Sequence, residues 1–232
     1  MTALIRMRLA GFLRGGRAAA PLIALLAVLS VLYGGGRSSA SSAYGYSAVC
    51  LFPILAWLTK LLLDTEPDAQ RRLARLAVGP VREAVAGLLA ATFVAAVVCV
   101  LAMLTPWVFG AIEGPRPGSL EPSLAAGVLL GVLAHILSAL AAMALGAVAA
   151  RSVTRRVLPG VAVLVSGSIL AIVLGLSGSI APWLVPPVMA TARALGGRVA
   201  PTTGTLVLLT GWTLLWAGVV LAGYARLRRG RS

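Results

Sequence analysis

Six apolar stretches constrain what this chain of 232 residues can fold into more than any other feature. A helix needs about 20 apolar residues to cross a hydrocarbon core roughly 30 Å thick, and each stretch approaches that length alone or with its small-residue flanks. Their bounds are Ala18–Tyr33, Ser47–Leu63, Ala84–Gly110, Ser123–Ala150, Leu158–Ala181 and Gly204–Ala225. The sequence therefore predicts an all-α polytopic membrane protein, with six transmembrane helices in a single domain covering residues 1–232.

The basic residues between the stretches predict the orientation of the chain. Sixteen of the 20 Lys and Arg residues lie before the first stretch, around the second and fourth connectors, or after the last stretch. Only four lie on the other side. Because Lys and Arg concentrate in cytoplasmic loops of membrane proteins, we expect a multi-pass plasma-membrane protein with both termini in the cytoplasm.

The composition excludes a nucleic-acid-binding domain despite a formal charge of +14. The chain is 59% hydrophobic and 11% charged, and no connector is long enough to fold into a water-soluble domain. The basic residues flank the apolar stretches, where anionic lipid headgroups account for them. We therefore expect contact with membrane lipid and no nucleic-acid partner.

The titratable side chains argue against ion-coupled transport and against catalysis. All six acidic residues lie in connectors or at the ends of stretches, whereas proton- and sodium-coupled transporters usually carry ionisable groups at depth. The only lysine, Lys60, is not part of a phosphate-binding GxxxxGK[ST] loop. We expect no catalytic residue, cofactor or metal in this chain, which is therefore not expected to be an enzyme.

One deep titratable residue, His135, lies midway along the fourth stretch. Such a residue is a functional candidate, and the alternative that we favour is a packing role with a hydrogen bond to a serine or a carbonyl. The segment Gly175–Gly178 matches the GxSG motif of rhomboid proteases. In that family the partner histidine follows the serine, whereas His135 precedes Ser177 and is predicted about 10 Å deeper, at 1.5 Å per helical residue. A packing role suits Ser177 better.

Three further segments have a recognisable local pattern. Residues Thr2–Arg17 predict an amphipathic interfacial helix, whose apolar face is Leu4, Ile5, Leu9, Phe12 and Leu13 and whose Arg6, Arg14 and Arg17 reach lipid headgroups. The second connector predicts a helix over Thr65–Gly79, with Thr65 as N-cap and a stop at Gly79-Pro80. Segment Pro182–Gly197 is apolar but too short to span, which predicts an outer re-entrant or interfacial helix.

These three segments together resemble the membrane subunit of a type-2 ABC exporter. The run Trp57-Leu58-Thr59-Lys60-Leu61-Leu62-Leu63-Asp64, followed by an Arg-rich helix, is similar to permeases of actinobacterial type. The resemblance implies an interfacial elbow helix, a cytoplasmic coupling helix that docks on a separate ATP-binding subunit, and an outer re-entrant segment. It also implies a second permease subunit, identical or homologous, and Mg-ATP bound by the partner ATPase.

The resemblance assigns two sets of candidate site residues. Those expected to contact the ATPase through the coupling helix are Asp68, Arg71, Arg72 and Arg75. Those expected to line the substrate pathway are Tyr46, Cys50, Phe52, Trp57, Ser166 and Ser177. The alternatives are a solvated, positive-inside connector for the first set and packing or lipid-facing positions for the second. An apolar pathway with a few hydroxyls would suit a lipophilic or amphipathic substrate.

Two other functions stay open from the sequence. An ATP-independent facilitator or channel is compatible with the absence of acids at depth, although no stretch supplies the polar stripe expected of a pore. A membrane scaffold subunit that transports nothing is the second. The sequence does not distinguish drug, peptide and lipid export, nor a homodimer from a heterodimer of permeases.

Overall fold

The computed structural model describes residues 1–115, 118–197 and 199–229, with side chains through residue 228. This part of the chain is mainly helical. Its helices are α1 (Thr2–Arg14), α2 (Ala19–Tyr33), α3 (Ala40–Leu63), α4 (Asp68–Val78), α5 (Pro80–Val108), α6 (Leu124–Ala149), α7 (Arg151–Thr154), α8 (Val157–Val173), α9 (Val188–Leu195) and α10 (Thr203–Arg229). A 3-10 turn covers Pro182–Leu184, and strands β1 (Ser38–Ser39) and β2 (Ile112–Glu113) pair in parallel.

The predicted all-α class is confirmed, and each apolar stretch contains a helix. Four helical segments are long and apolar enough to cross a membrane: α3, α5, the continuous segment Leu124–Thr154 and α10. Helices α1 and α2 meet at a bend of 75° and would count as a fifth if taken together. The structure thus supports four to five membrane-crossing helices, fewer than the predicted six, because α2 has 15 residues and α8 has 17.

Two helices end at positions that differ from the bounds of the apolar stretches. Helix α3 begins seven residues before Ser47 and so gains length from its small-residue flank, as expected, since small residues such as Ala40 and Ser41 pack inside the bundle as helix. Helix α8 ends at Val173, well before the predicted Ala181, and Gly178 just beyond it has a positive φ of 80°. Glycine adopts this backbone conformation without the steric cost that a side chain would impose.

Helix α4 begins later than predicted and without the predicted cap. The Thr65 hydroxyl donates to the Leu61 carbonyl at 2.9 Å, so it extends the end of α3 instead of capping α4. Pro67 occupies the N-cap position, with no side-chain hydrogen bond. The predicted stop is confirmed, because Gly79 has a φ of 85° and Pro80 starts α5.

Helix α3 is the central element, and α6 is its main partner. The two backbones approach closely at glycines of α6. A Cβ at Gly131 would lie 2.5 Å from the Tyr44 ring, and one at Gly146 would lie 2.5 Å from the Ala56 carbonyl oxygen. Small residues allow such approach between helices in membranes. The small residues of α6 therefore pack against α3 of the same chain.

The bundle has two ends with different character. We call the end that carries α1, α4, α7 and the last turn of α10 the basic end. At the other end, β1 and β2 join two loops, and α9 packs on α3 where Leu195 lies against Gly45. The Trp216 indole donates to the Leu184 carbonyl at 2.9 Å. Segment Pro182–Gly197 is therefore a turn and a short helix fixed to α3 and α10.

Candidate functional site: a buried ion cluster beneath an exposed helix

Five charged side chains form an ion cluster at the basic end, four of them buried and Arg75 partly exposed: Arg8, Glu66, Arg75, Glu83 and Arg228. Arg8 donates from Nε and Nη2 to the two oxygens of Glu66, at 2.8 and 2.6 Å. Its Nη2 also contacts Glu83 Oε1, and its Nη1 donates to the Glu83 carbonyl at 3.1 Å. The side chains of Glu83 and Arg8 are only 2% and 4% exposed. One guanidinium therefore joins two carboxylates in the geometry that favours strong, charge-assisted hydrogen bonds.

Glu83 is the centre of the ion cluster. Besides Arg8 it contacts Arg75, whose Nε lies 3.3 Å from Oε2, and Arg228. These partners come from α1, α4 and α10, while Glu83 itself is in the first turn of α5. A buried charge that loses its partner is costly, so this one carboxylate holds four helices from both ends of the sequence together.

Asp64, just after α3, anchors a second group of contacts. Its carboxylate accepts from Lys60 Nζ at 2.8 Å and from the Arg151 backbone N–H at 2.7 Å. Its carbonyl accepts from Arg151 Nη2 at 2.8 Å and from Arg17 Nη1 at 3.1 Å. These bonds fix the start of α7 and the α1–α2 link to the end of α3.

The four residues expected to contact an ATPase divide into two pairs. Arg71 is buried and donates to the carbonyls of Leu63 and Glu66, both at 3.3 Å. Burial lowers the pKa of the Arg71 guanidinium. Arg75 turns inward to the ion cluster, while Asp68 and Arg72 are exposed.

The outward face of α4 is apolar as well as basic. Leu73 is 66% exposed and Leu76 is 85% exposed, on the same side as Arg72. Residues three and four apart share a helix face. Helix α4 thus presents two leucines and a guanidinium to its surroundings, on a backbone that Arg71 and Arg75 fix from beneath.

The structure does not bring the candidate pathway residues into one site. Tyr46 is exposed and Cys50 and Trp57 are half-buried along α3, with spacings of four and seven residues that place them on one face. Phe52 is fully buried in the core. Ser166 is exposed on α8, where its hydroxyl donates to the Ala162 carbonyl at 2.6 Å, and Ser177 is exposed after α8.

His135 lies in a neutral hydrogen-bond network between α3 and α6, as the favoured packing role predicts. Its Nε2 is 3.1 Å from Ser47 Oγ, and its Nδ1 is 2.8 Å from the Gly131 carbonyl oxygen. Both ring nitrogens are therefore engaged, and neither bonds Ser177. Three residues further along α6, the Ser138 hydroxyl makes a separate contact with α3 by donating to the Ala48 carbonyl at 2.6 Å.

No group of three or more His, Cys, Asp or Glu side chains that could hold a metal ion occurs in the described ranges. Sequence reasoning missed the ion cluster entirely. One signal was present: Arg8 falls at the four-residue spacing of Leu4 and Phe12, inside the apolar face of α1. An arginine on that face needs an acidic partner. Only six acids exist in the chain, and four of them follow α3 or begin α5.

Neither a protein-family model, nor a curated protein, nor a solved structure matches this chain. The resemblance to type-2 ABC permeases accordingly stays a prediction from the sequence.

Proposed function

We propose that this chain is the membrane-spanning permease subunit of an ATP-driven ABC exporter. The observation that carries the proposal is α4, a helix that Arg71 and Arg75 fix to the bundle and that exposes Leu73 and Leu76 beside Arg72. Exposed apolar side chains rimmed by polar residues mark interaction sites. A separate ATP-binding subunit that docks there would transmit its movement to the rest of the bundle, because Arg71 and Arg75 fix α4 to its neighbours.

In the proposed arrangement the chain has six spans, and the basic end faces the cytoplasm. Helix α1 lies in the interface, and α2, α3, α5, α6, α8 and α10 cross the membrane. The two shorter helices, α2 and α8, are about 22 and 26 Å long at 1.5 Å per residue. A modest mismatch of this size is met by local thinning of the bilayer and by flanking residues.

The transport pathway would form between two permease subunits. Helix α10 supports this, because only 17% of an 18-residue apolar stretch within it is buried in the chain. The corresponding share for α3 is 61%. An exposed helix of this kind faces either lipid or a second subunit. Mg-ATP would bind only to the partner ATPase, and closure of two ATPase subunits would change the permease pair from inward- to outward-facing. Tyr46 and Trp57 remain candidate lining residues on the accessible face of α3.

A mild-detergent pull-down of the tagged chain from its native membranes tests the proposal. We expect a near-stoichiometric ATP-binding protein with Mg-ATP hydrolysis in the wild-type sample. Arg72→Glu with Leu76→Glu should abolish this association, since both side chains are on the outward face of α4. Arg82→Glu, an exposed charge reversal at the start of α5, is the matched control and should retain the partner. Recovery of the wild-type chain alone, without ATPase activity, would instead favour a facilitator or a scaffold.

Cysteine labelling from each side of the membrane tests the proposed topology separately. The two native cysteines, Cys50 and Cys99, are half-buried within helices, so their background reaction should be low. Thr2→Cys should react with a membrane-impermeant maleimide only in inverted vesicles, and Ser119→Cys only in intact cells. The opposite pattern would reverse the orientation, and labelling of both from one side would contradict an odd number of spans between them.

A further inference from the structure

An open cavity of about 280 Å³ lies between α4 and α7 at the basic end. It is lined mainly by arginines, and we call it the arginine cavity: Arg71, Arg72, Arg75, Arg151 and Arg155, with Asp68 as the one lining carboxylate. Leu73 and Leu76 do not line it. The cavity is therefore a different surface from the outward face of α4, although Arg72 reaches both.

Positive charge in the arginine cavity exceeds the negative charge that could balance it. Arg75 and Arg151 share the carboxylates of Glu83 and Asp64, which already have other partners. Arg71 meets Asp68 at 3.5 Å, but the Asp68 side chain is 72% exposed. Within the described residues, Arg72 and Arg155 make no ion pair. Like charges this close repel each other unless an anion lies between them.

Three of the arginines are held in place before any ligand arrives. Arg71 is fixed by two backbone carbonyls, Arg75 by Glu83, and Arg151 by Asp64. A guanidinium has five N–H donors, and these bonds use only some of them. Burial lowers the pKa of the Arg71 guanidinium, Asp68 and Asp64 oppose this shift, and the charges of Arg151 and Arg75 add smaller contributions that lower it.

We propose that the arginine cavity binds a phosphate-bearing anion. Several guanidinium groups that converge on one open space match the tetrahedral oxygens of phosphate, which accept paired N–H donors. Two sources share this chemistry. One is the headgroup of an anionic phospholipid at the membrane surface, and the other is a soluble phosphate compound. An acidic segment of a partner protein is the competing occupant, but it would supply single carboxylates and not the clustered oxygens that five arginines can engage.

The proposal goes beyond the transport function and does not depend on it, because its test uses the purified chain without an ATPase. The first arm titrates inorganic pyrophosphate into the full chain in detergent and measures binding by calorimetry. The second arm measures retention of phosphatidic acid against phosphatidylcholine by native mass spectrometry. Both arms compare the wild type with Arg72→Gln/Arg155→Asn. Asn suits position 155 because the backbone there has a φ of 62°, and asparagine tolerates this region.

We expect binding in one of the two arms, and the arm that responds identifies the source. The double variant should bind about tenfold or more weakly, because it loses two charge-assisted contacts. Its unfolding temperature should not change, since both side chains are exposed. Arg156→Gln removes a neighbouring exposed charge outside the cavity and should bind as the wild type does. The proposal is overturned if neither probe binds, if Arg156→Gln weakens binding equally, or if a polyglutamate peptide binds more tightly than both phosphate probes.

Discussion

Two of the buried polar groups in this bundle differ in kind. The ion cluster at the basic end consists of charged side chains drawn from four helices and the connector after α3. The network around His135, between α3 and α6, consists of neutral hydrogen bonds to Ser47 and Gly131. The first joins segments that are far apart in the sequence. The second lies between two helices that already pack closely through small residues.

The two kinds of polar contact stabilise the fold in different ways. A neutral hydrogen bond inside a packed helix pair adds a modest stabilisation, because its donor and acceptor already have other hydrogen-bond partners in the unfolded state. A buried ion pair carries a large desolvation penalty and stabilises only when all its members are present. The ion cluster therefore couples the positions of α1, α4 and α10, so that a shift of one helix affects the other two. Such coupling suits a region proposed to transmit the movement of an ATPase.

Removal of Glu83 should cause the largest loss of stability. Glu83→Leu leaves Arg8, Arg75 and Arg228 without their shared carboxylate. We expect a loss of about 3–5 kcal/mol in the free energy of unfolding, the range for a broken buried ion pair. Tryptophan fluorescence during denaturation in detergent measures it. Glu113→Leu, an exposed acid at the other end, should change stability by less than about 0.5 kcal/mol. Equal effects of the two substitutions would show that Glu83 has no special structural role.

Removal of Arg8 should cost less than removal of Glu83, because Glu83 would keep two arginines. We expect about 2–4 kcal/mol for Arg8→Met, most of it from Glu66 left buried without a partner. Arg6→Met, on the exposed side of α1, is the control. The double variant Arg8→Met/Glu66→Met should cost less than the sum of its single variants, as expected for side chains in direct contact. Additive losses would mean that the two do not interact.

The sequence predicted features set by local rules better than features set by distant contacts. The stop at Gly79-Pro80 depends on the backbone of two residues, and it was predicted correctly. The end of α8 was not, because Leu174, Leu176 and Ile180 continue the apolar pattern while Gly175 and Gly178 interrupt the helix. The pairing of Arg8 with Glu66 and Glu83 spans 58 and 75 positions, and no periodicity encodes it.

The same limit applies to the candidate site on α4. Composition identified Asp68, Arg71, Arg72 and Arg75 as one basic helix. It could not show that Arg71 and Arg75 turn inward, since that depends on carbonyls and carboxylates contributed by α3 and α5. The apolar side chains Leu73 and Leu76 point outward. The polar residues are the anchors here, which reverses the usual pattern for a surface helix.

The neutral network should respond more weakly than the ion cluster. Ser47→Ala removes the hydrogen-bond partner of His135 Nε2 and leaves that nitrogen buried without a replacement. We expect a loss of about 1–2 kcal/mol in the free energy of unfolding. Ser166→Ala, at an exposed serine whose hydroxyl bonds only within its own helix, should have almost no effect. A loss as large as that of Glu83→Leu would contradict the distinction between neutral and charged contacts.

The smallest change in the free energy of unfolding is expected at Arg75. This substitution separates the stability of α4 from that of the whole bundle. Arg75 is partly exposed, and Glu83 keeps Arg8 and Arg228 when Arg75 is replaced, so Arg75→Met should cost less than about 1 kcal/mol overall. Its consequence should be local, because α4 would lose an anchor near its C-terminal end. Hydrogen exchange should become faster in α4, between Asp68 and Val78, and stay unchanged in α3. Arg72→Met, one turn away and exposed, should leave both helices as they are. If exchange in α4 is equally slow in both variants, the ion cluster stabilises the bundle without holding α4.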